Sequence, residues 1–437
     1  MKDIFRGCII RFDSNGTGLE FLSDGVVVVG DGIVEFAGDV AEYDGQEVSK
    51  SQNVILSPTI NLHDHAFQPP GIPGELIVFD EEKKELVGWL PTTLKEGEYA
   101  AKQDKEVARR MIGSRLETFA KNGIGTILEY ATSSVETVEA VLEEAEKIGV
   151  RVRVGYVAMD QGIDDIQKGL QTTSVEALES TEYLLEKYGP EKICVIDRFP
   201  IAVTSPTRKG LAELARKYGA LYETHMDESI NEKKIHSDIY GTKSIVTTLL
   251  EDSVFEPGSR VGLAHAIHAN ADEMKQIQEK IRAGCTVSIR ACPNSNAHLG
   301  SHWDGDKYVR FPLQAWLEIG AIITMGTDQG AGRGWNIFDE LLDERRRHPV
   351  DKKPSNVELL EYATLNGFKS LGIDLHAVNI VEGNKAEFIV VEMAGAEGFY
   401  EVGTCNKDFE IVAARTIEGG QLPENIKAMY VRGKKVV

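Results

Sequence analysis

The sequence predicts an α/β protein: a parallel (β/α)8 barrel with a small β-sandwich formed by the two ends of the chain. Two observations carry this prediction. The middle of the chain alternates short apolar segments with segments whose apolar residues recur every three to four positions, a pattern typical of strands that alternate with amphipathic helices. Both ends instead contain β-branched runs separated by glycine and acidic residues, which is typical of strands joined by turns.

The two ends are predicted to share one domain. Residues 25–38 contain two β-branched runs joined by Gly-Asp-Gly, which indicates a hairpin. Residues 386–391 and 427–433 have the same strand-like composition. Neither end has enough strands to bury a core alone. We therefore expect residues 1–56 and 378–437 to form a composite β-sandwich.

Residues 57–377 are predicted to form the barrel, in which each strand is followed by a helix. Roughly 320 residues is long for such a barrel but lies within the range that insertions allow. An open, doubly wound sheet is the alternative that the periodicity leaves open. The strands are expected at 54–62, 123–130, 151–157, 193–201, 220–225, 260–265, 285–291 and 321–327, and helices at 105–121, 134–148, 175–188, 209–218 and 271–283.

Charge and cysteine usage restrict the partners and the compartment. The chain has 69 acidic and 48 basic residues, a formal net charge of −21, which repels nucleic acid and anionic membrane surfaces but suits a small neutral substrate. No apolar run is long enough to span a bilayer, and the first residues lack the apolar core of a signal peptide. The scattered cysteines predict reduced thiols in a cytoplasmic protein; they are Cys8, Cys194, Cys285, Cys292 and Cys405.

His63 and His65 provide the first indication of a function. Side chains two positions apart lie on the same face of a strand, so a strand over 54–62 would place both imidazoles together at its exit. Histidine is a common zinc ligand. Taken alone, the pair is equally compatible with two polar loop residues.

Further potential ligands fall at the exits of other predicted strands. His225 ends the fifth strand, His265 ends the sixth, and Asp328 follows the eighth. In a parallel barrel the active site lies at these carboxyl ends. We therefore predict that His63, His65, His225 and Asp328 bind one catalytic zinc, with a position left open for water. Bound zinc lowers the pKa of that water to about 7. Iron and manganese remain open as alternatives.

Three residues are placed for proton transfer and charge stabilisation. Glu228 lies three residues beyond His225 and is positioned to carry a proton to a substrate ring and to the departing amine. Asp328 can accept the proton of the attacking water, and His265 can hydrogen-bond the nucleophile or the developing oxyanion. Each residue taken alone is better explained as a paired surface acid or a packed core histidine, but their common position at strand exits favours catalysis.

Five motifs in this order resemble the amidohydrolase superfamily, and more narrowly its guanine deaminase and chlorohydrolase branch. The similarity runs nearly from end to end of the chain. The motifs are His63-x-His65, Thr224-His225-x-x-Glu228, Ala264-His265-x-x-His268, Cys292-Pro293-Asn294-Ser295-Asn296 and Gly326-Thr327-Asp328.

The resemblance implies hydrolytic deamination of guanine, or of a guanine-like aminated ring, to xanthine and ammonia, with one zinc per subunit. It implies that Gln68 reads the purine edge and that Trp89 belongs to an active-site lid. It also implies that Arg198 hydrogen-bonds a purine carbonyl, that Phe199 packs on the ring, and that the protein is a homodimer.

Some residues depart from the family pattern and leave the substrate open. Asp197, Ala291 and Asp227 stand where the family has proline, histidine and serine. A pterin, 8-oxoguanine or cytosine is therefore an alternative substrate, and a triazine-type chlorohydrolase is an alternative that Glu228 disfavours. A non-catalytic scaffold of the same fold usually lacks ligands that this chain retains. A binuclear site with a carboxylated lysine is disfavoured because residues 193–203 contain no lysine.

Overall fold

The computed structural model describes residues 2–49, 51–69, 93–161, 169–241, 243–332, 334–393 and 408–437. The strands are β1 Asp3–Phe12, β2 Leu19–Gly30, β3 Ile33–Asp39, β4 Asn53–Leu56, β5 Thr59–His65, β6 Ile124–Tyr130, β7 Arg151–Gly155, β8 Val157–Ala158, β9 Val195–Asp197, β10 Leu221–Met226, β11 Arg260–His265, β12 Thr286–Ala291, β13 Trp303–Asp304, β14 Lys307–Tyr308, β15 Ile322–Met325, β16 Phe388–Glu392, β17 Ile426–Val431 and β18 Lys434–Lys435.

Helices separate most of these strands. The α-helices are Ala100–Gln103, Lys105–Lys121, Val135–Ile148, Ser174–Tyr188, Ser205–Tyr218, Ile230–Tyr240, Ile245–Glu251, Ala271–Arg282, Pro293–His298, Leu313–Glu318, Ile337–Arg347, Asn356–Ala363, Leu365–Leu371 and Phe409–Gly420. Shorter 3-10 helices cover Val40–Glu42, Val350–Lys352 and Pro423–Asn425, and a π-helix covers Leu94–Tyr99. Within the described ranges, no helix has both the length and the apolar character needed to cross a membrane.

Strands from both ends of the chain share one seven-stranded sheet, in the order β18-β17-β16-β4-β1-β2-β3. The β2–β3 hairpin turns at Asp31 and Gly32, whose φ angles are 50° and 78°. Positive φ at both central residues is what a type I′ hairpin turn requires, and Gly-Asp-Gly allows it. The predicted hairpin is therefore present, and strands from both ends of the chain pair within one sheet.

The predicted single strand 54–62 is wrong, because this segment contains two strands. β4 pairs with β1 and β16 in the sheet of the chain ends, whereas β5 pairs with β6. Pro58 lies between them and has no backbone N–H with which to continue a ladder. The interruption lets the chain leave one sheet and enter the next, and it places His63 and His65 within β5 itself.

The middle of the chain forms parallel sheets whose strands follow one another in chain order. One sheet is β5-β6-β7 and the other is β8-β9-β10-β11-β12-β15. A doubly wound sheet reverses its strand order at a switch point, and the described strands show no such reversal. Each of the other seven predicted strand segments contains an observed strand, although β9 is much shorter than the predicted 193–201. The fold is thus mixed α/β with parallel strands and intervening helices.

Three of the cysteines behave as the composition predicts. Cys194, Cys285 and Cys292 are buried and free. The prediction of reduced thiols is wrong for Cys8, which is disulfide-bonded. Composition cannot reveal such a pairing, because it depends on which segments the fold brings together.

Candidate active site

Four histidines and one aspartate from different strands form a buried cluster. His63 and His65 lie in β5, His225 lies in β10, His265 ends β11, and Asp328 follows β15. Candidate ligand atoms of His63, His65 and His225 all lie within 4.8 Å of one another, as do those of His63, His265 and Asp328. The Nε2 atoms of His65 and His225 are 3.1 Å apart, and Asp328 Oδ1 lies 3.7 Å from His63 Nε2 and 3.8 Å from His65 Nε2.

This cluster has the chemistry of a metal site. Among the described residues, neither ring nitrogen of His63 has a hydrogen-bond partner, although both nitrogens are buried. Burying polar atoms without partners is costly, and a cation shared by the imidazoles would satisfy them. Burial lowers the pKa of His63, His65 and His225 well below the usual value, so the imidazoles are in the neutral form that binds metals.

The backbone is strained where it enters this cluster. Of the seven non-glycine residues with positive φ in the described ranges, four follow or end the strands that carry the cluster. Such conformations cost on the order of 1–3 kcal/mol each and concentrate at functional sites. The four residues and their φ angles are Asp227 at 51°, His265 at 66°, Ala266 at 52° and Asp328 at 45°.

Neighbouring groups hold several of the cluster side chains in place. His225 Nδ1 donates to the backbone carbonyl of Arg198, which directs Nε2 toward the other imidazoles. Ser295 Oγ donates to Asp328 Oδ2 at 2.5 Å, and His265 Nδ1 donates to Asn296 Oδ1 at 2.8 Å. The residues of the Cys-Pro-Asn-Ser-Asn motif therefore support the cluster, a role that the sequence did not assign to them individually.

Glu228 lies at the same strand ends as the cluster. Its Oε2 is 3.6 Å from His265 Nε2, and its backbone N–H donates to Glu232 Oε2 at 2.8 Å. Burial, and next the nearby Glu228, raise the pKa of Glu232 to about 8. A carboxyl group fixed beside potential metal ligands and a histidine is arranged for general acid–base catalysis.

A cavity opens onto these side chains, with about 320 Å³ of empty space that includes the solvent at its mouth. It brings together the predicted catalytic residues with three of the residues that the resemblance implied for substrate binding. Trp89 lies outside the described residues. The cavity is lined by His65, Gln68, Arg198, Phe199, His225, Glu228, His265, Leu299, Asp328 and Ala331.

Polar groups in this cavity are available to a ligand. Gln68 Oε1 is buried and has no hydrogen-bond partner among the described residues. Arg198 donates from Nη1 to both oxygens of Glu98, at 3.0 and 2.7 Å. Glu98 is fully buried in the Leu94–Tyr99 helix, and its Oε1 is 3.9 Å from His65 Nδ1. The sequence did not indicate Glu98, because no motif marks it.

The residues that depart from the family pattern are not among the described residues lining the cavity. Asp197 Oδ2 accepts a hydrogen bond of 2.8 Å from Tyr222, and burial raises the pKa of Asp197 to about 6. Asp227 Oδ1 lies 3.4 Å from Lys233 Nζ, and Ala291 is buried at the end of β12. These three departures therefore alter the surroundings of the site more than its lining.

The chain is similar to known proteins over most of its length. Residues 55–436 match the Amidohydrolase family. The guanine deaminase of Escherichia coli is 27% identical over 394 residues, which are 86% of this chain and 82% of that protein. The 5-methylthioadenosine/S-adenosylhomocysteine deaminase of Pyrococcus abyssi is 26% identical over 384 residues, or 85% of this chain and 81% of that protein.

A solved structure shows the same fold. The guanine deaminase from C. acetobutylicum, solved with guanine bound in its active site, superimposes with a TM-score of 0.81. The match covers 100% of both chains at 23% sequence identity. At that identity the likeness concerns the fold alone.

Proposed function

Because the chain belongs to the amidohydrolase family, we propose that it is a metal-dependent aminohydrolase that converts guanine, or a guanine-like ring, to xanthine and ammonia. The observation that supports this proposal is the buried cluster of His63, His65, His225 and Asp328, beside which Glu228 lines the same cavity as Gln68, Arg198 and Phe199.

Zinc is the proposed ion, with His63, His65, His225 and Asp328 as its ligands. Imidazole nitrogens and a carboxylate oxygen are the donors typical of catalytic zinc sites that keep a position open. The same donors also accept iron or manganese, so the identity of the ion rests on metal analysis. When bound, the ion would supply hydroxide at neutral pH and polarise the ring carbon that is attacked.

The protons of the attacking water are assigned to two carboxyl groups. Asp328 accepts one proton from the water, and Glu228 delivers a proton to the ring nitrogen. The proton that Asp328 accepted then passes through Glu228 to the departing amine, which leaves as ammonia when the carbon–nitrogen bond breaks, so both protons of the water are accounted for. His265, 3.6 Å from Glu228, is placed to hydrogen-bond the oxygen that becomes the new carbonyl.

The cavity favours a ring that carries an oxo group. The Arg198 guanidinium is only a hydrogen-bond donor, so it suits the carbonyl of guanine better than the amino group of an adenine ring. The amide of Gln68 can both donate and accept, and Phe199 provides an aromatic face. Pterins, 8-oxoguanine and cytosine also carry an oxo group, whereas triazines and 5-methylthioadenosine lack it.

A deamination screen tests the proposal. The zinc-loaded protein is assayed for ammonia release from guanine, 8-oxoguanine, pterin, cytosine and 5-methylthioadenosine, and for chloride release from a chlorotriazine. We expect guanine or another oxo-bearing ring to give the highest kcat/KM. A preference for 5-methylthioadenosine, or chloride release without ammonia release, would overturn the proposal.

We further propose that residues 57–377 close into a (β/α)8 barrel, and that residues 1–56 and 378–437 form a composite β-sandwich. The hydrogen bond of 3.0 Å from Asp328 N to His63 O, which joins the exit of β15 to β5, supports closure. A cytoplasmic homodimer without nucleic-acid or membrane partners completes the proposal. Sedimentation and cell fractionation test the assembly and the compartment.

A further inference from the structure

Only one nitrogen of Arg198 is held by Glu98. Both Glu98 oxygens accept from Nη1, and the two side chains are 0% and 2% exposed. Among the described residues, no hydrogen bond reaches Nε or Nη2 of Arg198, yet Arg198 lines the cavity. The guanidinium donors that Glu98 does not engage are Nε and Nη2.

The same contact sets the charge of the cavity. A buried guanidinium without a counter-ion strongly attracts anions, and carboxylates bind it with two parallel hydrogen bonds. Glu98, which is fully buried and not among the described residues that line the cavity, supplies the counter-ion. A neutral ring then meets no unbalanced positive charge at Arg198.

Glu98 also lies next to a predicted metal ligand. Its Oε1 is 3.9 Å from His65 Nδ1, a nitrogen that has no hydrogen-bond partner among the described residues. One carboxylate thus stands between the group proposed to bind the ring and a group proposed to bind the metal.

We propose that Glu98 is a specificity-determining positioning residue. It holds Arg198 so that the guanidinium offers its Nε and Nη2 donors to a single neutral oxo group, and it cancels the charge that would otherwise admit an anionic ring. This inference rests on the proposed function and deepens it, since it assigns the choice between neutral and anionic heterocycles to a residue that does not line the cavity.

Binding of two unreactive purines tests the charge selection. Titration calorimetry compares hypoxanthine, which has a neutral oxo group at C6, with purine-6-carboxylate, which has a carboxylate there. We expect the wild type to prefer hypoxanthine, and Glu98→Gln to shift the ratio of the two dissociation constants toward the anion by about tenfold, the scale of one charge-assisted hydrogen bond. An unchanged ratio would overturn the proposal.

Turnover of two related substrates tests the positioning. Guanine has the C6 oxygen that Arg198 would hold, whereas 2-aminopurine lacks it. We expect Glu98→Gln to lower kcat/KM for guanine by about tenfold with little effect on 2-aminopurine. In an Arg198→Met background, the same change should cause no further loss. Equal losses for the two rings would indicate a general structural role and contradict the proposal.

Glu387→Gln is the matched control, because Glu387 is also a buried carboxylate that accepts two hydrogen bonds from an arginine, Arg151, at 2.8 and 3.1 Å. Glu387 lies in the loop before β16, outside the cavity lining, so this variant should keep the wild-type preferences. Zinc content and Tm are measured for every variant. If Glu98→Gln does not fold, Glu98→Asp keeps the charge but shortens the side chain that holds Arg198. This variant should keep the preference for hypoxanthine over the anion but lower kcat/KM for guanine relative to 2-aminopurine. An unchanged ratio of the two kcat/KM values would then overturn the proposal.

Different results would refute the proposed function and the proposed role of Glu98. A wild type that releases no ammonia from any purine would refute the proposed function. A wild type that deaminates guanine, together with a Glu98→Gln variant of unchanged preferences, would refute only the role of Glu98.

Discussion

Two buried polar regions of the parallel strands differ in how many hydrogen bonds their side chains make. Inside the sheet, Arg290 makes four hydrogen bonds, to Glu223 and to the hydroxyls of Ser288, Thr324 and Ser370, although its Nε and Glu223 Oε2 have no hydrogen-bond partner within the described residues. At the carboxyl ends of the strands, His63 has no hydrogen-bond partner for either ring nitrogen within the described residues. The strained φ angles also lie at these ends and not around Arg290.

This difference distinguishes polar side chains that stabilise the fold from polar side chains that are available to bind a ligand. A network around one arginine stabilises a unique packing, since breaking it leaves a buried charge. Imidazoles kept neutral and unpaired are costly until a cation binds. Mutations in the two regions should therefore have different consequences, the first on stability and the second on metal content and turnover.

The largest effect is expected from His63→Ala, which removes a proposed metal ligand. The variant should lose zinc and activity together while remaining folded. Metal analysis and ammonia release measure both. His376→Ala, at an exposed histidine, serves as the control and should keep zinc and activity. Full zinc occupancy in His63→Ala would contradict the ligand assignment.

Next in size is Glu228→Gln, which keeps the shape of the side chain but removes its proton. We expect wild-type zinc content and a kcat lowered by about 10²- to 10⁴-fold, the usual contribution of a general acid–base group. Steady-state kinetics with guanine measures the change. Near-normal turnover would exclude Glu228 as the proton carrier.

Arg290→Met tests the hydrogen-bond network around Arg290 inside the sheet. It should lower the free energy of unfolding by about 3–5 kcal/mol, because Glu223 is left buried without its partner, and kcat per folded molecule should stay unchanged. Denaturant unfolding gives the free energy. Adding Glu223→Gln should recover much of the loss. A fall in kcat at full folding would show that the two regions are not independent.

The smallest effect is expected from Ser295→Ala, which removes the hydroxyl that orients Asp328. Outer groups of this kind typically contribute 10- to 100-fold to metal affinity. Zinc competition with a chelator should therefore show weaker binding of about this size, with unchanged Tm in the metal-free protein. Unaltered zinc affinity would mean that Asp328 is held by its backbone alone.

Much of the site could be predicted because local pattern encodes it. Strand alternation places His63 and His65 on one face, and strand exits can be read from where apolar runs stop, as at His225, His265 and Asp328. The break at Pro58 was also readable, yet the apolar character of residues on both sides concealed a change of sheet. The local sequence pattern indicates where strands lie, but it does not indicate which strands pair with one another.

By itself, the sequence determined the alternation of strands and helices and the potential ligands at the strand ends, since both follow from periodicity over a few residues. Only the tertiary structure decided that Glu98 meets Arg198, one hundred positions away, and that Ser295 meets Asp328. Such contacts depend on how distant segments pack, and no local rule specifies them. The residues proposed to bind the metal belong to the first group, and those proposed to position them and to select the ring belong to the second.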